Sequence, residues 1–167
     1  MIEITHYHLS RETPQLETVD FQDWLCKTVT PHQSFAMSKH ITLSVAKLEH
    51  NIQINIDASA LEKIVDNLVS NALRYTNDGG SVEVIPFADN KIFGFIVKDT
   101  GIGISEEEQK EIFKEFYRTA KAKEMIKLGT GLGLNLVKEI VRKHNGKIEV
   151  KSKVDQGSDF KVIIPLS

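Results

Sequence analysis

Two periods of apolar residues alternate along the chain, and the switches between them mark its elements. In residues 19–29 (VDFQDWLCKTV), Phe21, Trp24, Leu25 and Thr28 recur at helical spacing behind Asp20, a residue type that caps helix N-termini. Pro31 is expected to end that helix. Residues 41–45 (ITLSV) and 52–56 (IQINI) alternate apolar and polar, the period of half-buried strands. Asp57 opens a second helix with Leu61, Ile64, Val65, Leu68 and Val69 on one stripe, and NDGG at 77–80 stops it. SVEVIPF and KIFGFIVKD then read as an antiparallel hairpin joined by Ala88, Asp89 and Asn90. Ser105 and Glu108 form a capping box for a helix over SEEEQKEIFKEF. The following RTAKAKEMIKL carries no strong apolar stripe, although its residues are good helix formers. Residues 132–144 form a helix with Leu134, Val137, Ile140 and Val141 on one face, ended by Asn145-Gly146, and KIEVKS with DFKVIIP closes the chain as a second strand pair.

Strands paired mostly as hairpins, with helices between the pairs, predict an α/β sandwich of two layers: a mixed sheet covered by helices on one face. A doubly wound parallel sheet fits less well, because helices do not alternate strictly with strands.

Composition narrows the function classes. The 167 residues suffice for one domain with a real core, and 41% hydrophobic with 26% charged residues is ordinary globular composition. A net charge of −2 offers no basic field for nucleic acid or an anionic membrane, and no apolar run approaches a membrane span. Cys26 alone excludes a disulfide framework and suits a reducing, cytoplasmic setting; in FQDWLCKTV it reads as a small packing residue. The N-terminus lacks a signal-peptide pattern, and residues 1–14 read as the remnant of a linker from a larger protein.

Three stretches carry candidate chemistry. In DNLVSNALRYT, Asn67 and Asn71 are four apart and share a helix face, with Arg74 and Tyr75 one turn on, while Leu68, Val69 and Leu73 face the sheet. Two asparagines and Ser70 inside a helix cost stability; amide oxygens suit Mg²⁺, and arginine suits phosphate. In KDTGIGI, a strand delivers Asp99 to a sheet end, with Gly101 and Gly103 behind it. Such a carboxylate can form a turn, bind a metal or accept a hydrogen bond from an exocyclic amine. In GTGLGLNLVKEIV, Gly129, Gly131 and Gly133 run into a helix whose first amides make an anion site; no preceding strand and no following G-K-[ST] make it a Rossmann or P-loop motif.

In this order and spacing, the three stretches resemble the ATP-binding catalytic domain of sensor histidine kinases, in the GHKL (Bergerat-fold) ATPase superfamily. The resemblance runs from about Glu17 to Pro165: DNLVSNALRYT as the asparagine box, DTGIG and GTGLGL as the two glycine boxes, IFKEFYR as the phenylalanine box, and GKIEVKSKVDQGSDFKVIIP as the closing strands. It implies that residues 15–167 form the kinase's catalytic domain. Asp99 would bond the adenine amine, with Gly101, Gly103 and Ile104 around the base and Ser158 closing that end. Asn71 and Asn67 would hold Mg²⁺ against the phosphates of ATP. Arg74 would contact phosphate, and Tyr75 would lie beside the nucleotide. Gly129, Thr130, Gly131, Leu132, Gly133 and Leu134 would cradle the phosphates. Residues 105–128 would form a mobile ATP lid pinned by Phe113 and Phe116, with Arg118 at its hinge reaching the γ-phosphate. The lid's lysine-rich part would have little to hold it down.

None of His6, His8, His32, His40, His50 and His144 sits in a phosphoacceptor motif such as H-[ED]-x-x-[ST]-P. The resemblance therefore implies phosphoryl transfer in trans, to a histidine on a separate dimerisation domain and through it to a response-regulator receiver domain. Neither nucleic acid nor membrane contact is expected of this domain, which would be a monomer or weak dimer in the cytoplasm even where its parent is membrane-anchored. ATP-hydrolysing members carry a glutamate base where Asn67 stands, and an amide takes no proton near neutral pH. A stand-alone ATPase or serine kinase of the superfamily, or a nucleotide-sensing or docking module without kinase activity, are the alternative readings.

Overall fold

In the computed structural model, residues 13–126, 131 and 133–166 are described. Among the described residues, seven strands and six α-helices follow in the order β1 (Glu17–Asp20), α1 (Phe21–Val29), α2 (Gln33–Ser38), β2 (Thr42–Val45), β3 (Gln53–Ile56), α3 (Ala58–Tyr75), β4 (Ser81–Ala88), β5 (Ile92–Asp99), α4 (Glu106–Gln109), α5 (Ala120–Met125), α6 (Gly133–Lys143), β6 (Lys147–Lys153) and β7 (Gly157–Pro165). Five strands make one sheet in the order β2-β4-β5-β7-β6, and β1 pairs with β3 in a small separate one. β2 runs parallel to β4; the other neighbours in the large sheet are antiparallel, so the sheet is mixed as expected.

Each strand's alternation chooses the covered face. Val82 and Val84 of β4, Phe93, Phe95 and Val97 of β5, and Phe160, Val162 and Ile164 of β7 are buried, as are Leu61, Ile64, Val65, Leu68, Val69, Ala72 and Leu73 of α3. α6 adds Leu136, Val137, Ile140 and Val141, and α1 adds Phe21, Leu25 and Val29. These side chains form one continuous core between helices and sheet. At about 1.5–3 kcal/mol per large side chain, its burial is the main term holding the layers together.

Several caps match expectation. The Asp20 side chain accepts the Asp23 amide at 2.9 Å. α6 stops where Asn145 takes φ 56°, with Gly146 N–H bonded to Val141 O and Asn145 N–H to Arg142 O. That double bond pattern is a Schellman cap.

Four local expectations need correction. Pro31 does not end the helical run: it sits in the first turn of a 3₁₀ segment (Thr30–His32) that leads into α2, a position where its missing N–H costs nothing. β1 occupies residues whose pattern merges with the helix after it, since it is only four residues long. The ITLSV and IQINI strands do not pair with each other; one joins β4 and the other β1. The capping box at Ser105 forms, the Ser105 hydroxyl accepting the Glu108 amide at 3.3 Å, but the helix it starts ends at Gln109. Turns carry the chain through Phe113 to Phe116, which takes φ 61°.

Candidate functional site

Strand register sets the centre of the site. Asp99 continues the inward row of Phe93, Phe95 and Val97, and Ser158 continues that of Phe160 and Val162; the two stand opposite each other at the end of the sheet. The alternation that builds the core thus carries one carboxylate and one hydroxyl onto the helix-covered face. Asp99 is only 9% exposed, and its Oδ1 accepts N–H bonds from Gly101 (2.8 Å) and Ser158 (3.3 Å). Burial pushes its carboxyl up to about 6, against the two backbone bonds, which pull it down. Both bonds fall on Oδ1, so Oδ2 remains for whatever enters the cavity that Asp99 lines.

The glycines behind Asp99 are required by neighbouring backbone. A Cβ on Gly101 would strike the Tyr75 carbonyl oxygen, and one on Gly103, which has φ 67°, would strike the Lys153 carbonyl oxygen. The loop is fastened on both sides: Ile102 N–H to Tyr75 O (3.0 Å), Asp155 N–H to Ile102 O (2.8 Å) and Ile104 N–H to Ser152 Oγ (2.8 Å). Ser152 Oγ in turn lies 2.7 Å from Ser158 Oγ, which links the loop to the residue opposite Asp99.

α3 supplies the second wall. Its core stripe leaves Asn67, Ser70, Asn71, Arg74 and Tyr75 along one flank, and all five line a cavity of about 300 Å³ shared with Asp99. Asn67 Nδ2 donates to Lys63 O at 2.7 Å, which turns Oδ1 toward α6; a Cβ on Gly133 would lie 2.8 Å from it.

The third wall is α6 and the segment before it. Gly131, Gly133 and Leu134 line the cavity, and so do Gly103, Ile104 and Ser158 from the other end. Gly129, Thr130 and Leu132 lie outside the described residues, as do residues 127–128 of the expected lid, His6, His8 and residues 1–12 of the expected linker. The lid segment is better held than its lysine content implies. Ile112, Thr119 and Ala122 are buried, Thr119 caps α5 by accepting the Ala122 amide at 3.1 Å, the Ala120 amide reaches Glu108 at 3.3 Å, and Lys121 pairs with Asp155. Of the two expected pins, Phe113 packs edge-on to Phe160 at 6.5 Å, whereas Phe116 is 70% exposed and pins nothing; its φ of 61° turns it outward.

Arg118 lines the cavity, with its guanidinium donating to Ala122 O (3.0 Å) and Ile126 O within the lid. Of the described residues singled out from the sequence, Asn67, Asn71, Arg74, Tyr75, Asp99, Gly103, Ile104, Arg118, Gly131, Gly133, Leu134 and Ser158 line this cavity, whereas Gly101 lies behind Asp99 and Phe113 and Phe116 lie off it. Sequence reasoning missed Ser70, Ala72, Ile102, Ile112, Tyr117, Thr119, Ala122 and Phe160 as lining. Thr119 ahead of good helix formers was a readable N-cap, Ser70 shares the flank of Asn67 and Arg74, and Ile102 lies between the two glycines of its motif; Ile112, Tyr117, Ala122 and Phe160 reach the cavity through tertiary packing. No group of three or more histidine, cysteine or acidic side chains suited to a metal exists among the described residues.

Residues 56–167 match the model of the family described as histidine kinase-, DNA gyrase B-, and HSP90-like ATPase. The sensor-like histidine kinase SenX3 of Mycolicibacterium smegmatis is 31% identical over 165 residues, 99% of this chain and 43% of that protein. The chain thus spans less than half the length of that relative. Full-length ShkA in complex with AMPPNP superposes with a TM-score of 0.86 at 25% identity, over 98% of this chain and 34% of that one. Histidine kinase ThkA in complex with the response regulator TrrA gives 0.82 at 20% identity, over 99% and 46%.

Proposed function

Because the chain belongs to the family of histidine kinase-, DNA gyrase B- and HSP90-like ATPases, as the ATP-binding catalytic domain of a sensor histidine kinase, we propose that its cavity binds Mg-ATP and delivers the γ-phosphoryl group to a histidine on a separate dimerisation domain. The observation that carries the proposal is Asp99: a buried carboxylate in the wall of the cavity, fixed by two backbone N–H bonds that both fall on Oδ1. It accepts the adenine amine, and Gly101, Gly103, Ile104 and Ser158 enclose the base.

The phosphates extend along the α3 flank toward the N-terminus of α6, where Arg74 and the amides from Gly129 to Leu134 meet them and Tyr75 lies alongside. The α3 amides fit a magnesium ion: Asn67 has its Nδ2 committed to Lys63 and its Oδ1 free of that bond, and Asn71 lines the cavity beside it. Mg²⁺ takes one or two protein oxygens together with phosphate and water, and neutralises phosphate charge. The acceptor imidazole nitrogen attacks the γ-phosphorus as the bond to the ADP oxygen breaks. The chain contributes position and charge, with Arg74 and a re-aimed Arg118 offsetting the developing negative charge. Asn67 supplies no base for water, which favours transfer over hydrolysis.

On this reading residues 1–14 are a linker from the dimerisation domain, residues 15–167 the catalytic domain and residues 105–128 its lid. The domain works on the cytoplasmic side, as a monomer or weak dimer. The ThkA–TrrA complex supports a response regulator as the downstream partner. No described helix is long and apolar enough to cross a membrane. Incubation with γ-labelled ATP, Mg²⁺ and the parent's dimerisation domain tests the proposal. Acid-labile, base-stable label on that domain, lost with Asp99→Ala, is expected; unlabelled partner beside steady ATP turnover would instead favour a stand-alone ATPase.

A further inference from the structure

α3 carries Asn67, Asn71, Arg74 and Tyr75, yet it ends without the usual device. Thr76, its C-cap, is extended at φ −98° and ψ 132°, so no left-handed residue folds the chain back to satisfy the last carbonyls. Those carbonyls are taken by a residue 34 to 37 positions earlier. Lys39 Nζ donates to Leu73 O at 2.8 Å, Arg74 O at 3.2 Å and Thr76 O at 2.7 Å. The fourth oxygen, Tyr75 O, accepts the Ile102 amide of the loop behind Asp99 at 3.0 Å. All four successive carbonyls are thus occupied, three by one ammonium group.

Lys39 is itself firmly set. It is the C-cap of α2, which closes in a Schellman pattern: Ile41 N–H to Ala36 O at 2.9 Å, His40 N–H to Met37 O at 3.0 Å, and His40 at φ 54°. The Lys39 carbonyl accepts Gly79 N–H at 3.2 Å, so the residue also holds the turn after α3. Burial lowers the affinity of its amine for a proton, which nearby Asp78 partly offsets. A cation at the negative end of a helix is favourable by charge as well as by hydrogen bonding.

We propose that Lys39, which does not line the cavity, is a positioning residue: it clamps the C-terminus of α3 and, through Tyr75 O, sets the loop that aims Asp99. The proposal rests on reading the cavity as a nucleotide site. A neutral side chain of similar length leaves three carbonyls to water, frays the last turn and loosens the Tyr75–Ile102 bond. Misplacement by about 1 Å at such a site costs up to roughly a hundredfold.

The test compares wild type, Lys39→Met and Ile54→Val, a mild core truncation in β3 remote from the cavity, all at 10 °C where each is folded. Affinity for a non-hydrolysable Mg-ATP analogue is read by calorimetry, and exchange of the Ile102 amide is read without ligand. Lys39→Met is expected to bind about tenfold or more weaker and to exchange Ile102 faster, with Ile54→Val matching wild type in both. Lys39→Gln, which keeps an N–H donor pair, is compared in the same way if Lys39→Met does not fold. Affinity within twofold of wild type, or unchanged Ile102 exchange, overturns the assignment. Failure of wild type to bind is a different result: it overturns the nucleotide reading, and the positioning role with it.

Discussion

Replacing Asp99 with asparagine separates what the residue does for binding from what it costs the fold. The ligand-free domain holds a carboxylate at 9% exposure, and burial raises its pKa from 3.8 to about 6. A shift of about two units corresponds to about 3 kcal/mol of unfavourable free energy for the ionised folded form above pH 6. The sign follows from linkage. Between pH 4 and 6 the folded chain keeps a proton that the unfolded chain has released, so this group's stabilisation is complete below about pH 4. It is lost as pH rises through 6. An asparagine keeps an Oδ1 to accept the Gly101 and Ser158 amides and never ionises. Asp99→Asn is therefore expected to melt up to about 6–12 °C higher than wild type at pH 7.5, at about 2–4 °C per kcal/mol for a chain of this size. The difference closes toward pH 4. The same variant puts an NH₂ where the adenine amine needs an acceptor, and two opposed donors cost about 3 kcal/mol or more, on the order of a hundredfold in affinity. Calorimetric melting from pH 4 to 8, with and without a Mg-ATP analogue, reads both effects. An asparagine variant less stable than wild type at pH 7.5, or one whose advantage persists at pH 4, would refute the reasoning from burial.

Three further outcomes follow from the same geometry. Nucleotide affinity of the wild type falls below pH 6, about tenfold per unit, because the free domain must give up the Asp99 proton to bind; a titration series from pH 5 to 8 that stays flat contradicts it. Gly103→Ala forces a Cβ into the Lys153 carbonyl at φ 67° and destabilises by about 2 kcal/mol or more, read as a lower urea midpoint. Arg118→Ala leaves nucleotide affinity within a few fold and slows transfer to the partner histidine roughly a thousandfold; transfer at the wild-type rate would remove Arg118 from the mechanism.

Much of this molecule can be read from its sequence, for identifiable reasons. α3 shows itself because eighteen residues give its apolar stripe many repeats, and β4 with β5 because each has eight alternating residues around a short turn. β1, α2 and α4 are four to six residues long, too short for a period to stand out, and what makes them is pairing or packing with distant chain. Strand partnership is likewise tertiary: nothing in ITLSV says that its neighbour is β4. Asp99 was legible because its motif recurs with two others in fixed order. Why Gly101 and Gly103 must be glycine was not, since the atoms they clear belong to Tyr75 and Lys153. Phe116 was misread because its exposure depends on a left-handed backbone that no apolar pattern encodes. The clamp on α3 was invisible for the same kind of reason, as Lys39 looks like any surface lysine until the fold lays α2 beneath the helix end.

The central claim is an adenine-reading cavity centred on Asp99, and thermal unfolding with Mg²⁺ and non-hydrolysable nucleotide analogues tests it most directly. With ligand at a hundred times its dissociation constant, the account predicts about 2.7 kcal/mol of stabilisation, an upward shift of roughly 5–10 °C, for the ATP analogue and none for the GTP analogue. No shift with either nucleotide, or equal shifts with both, would contradict it.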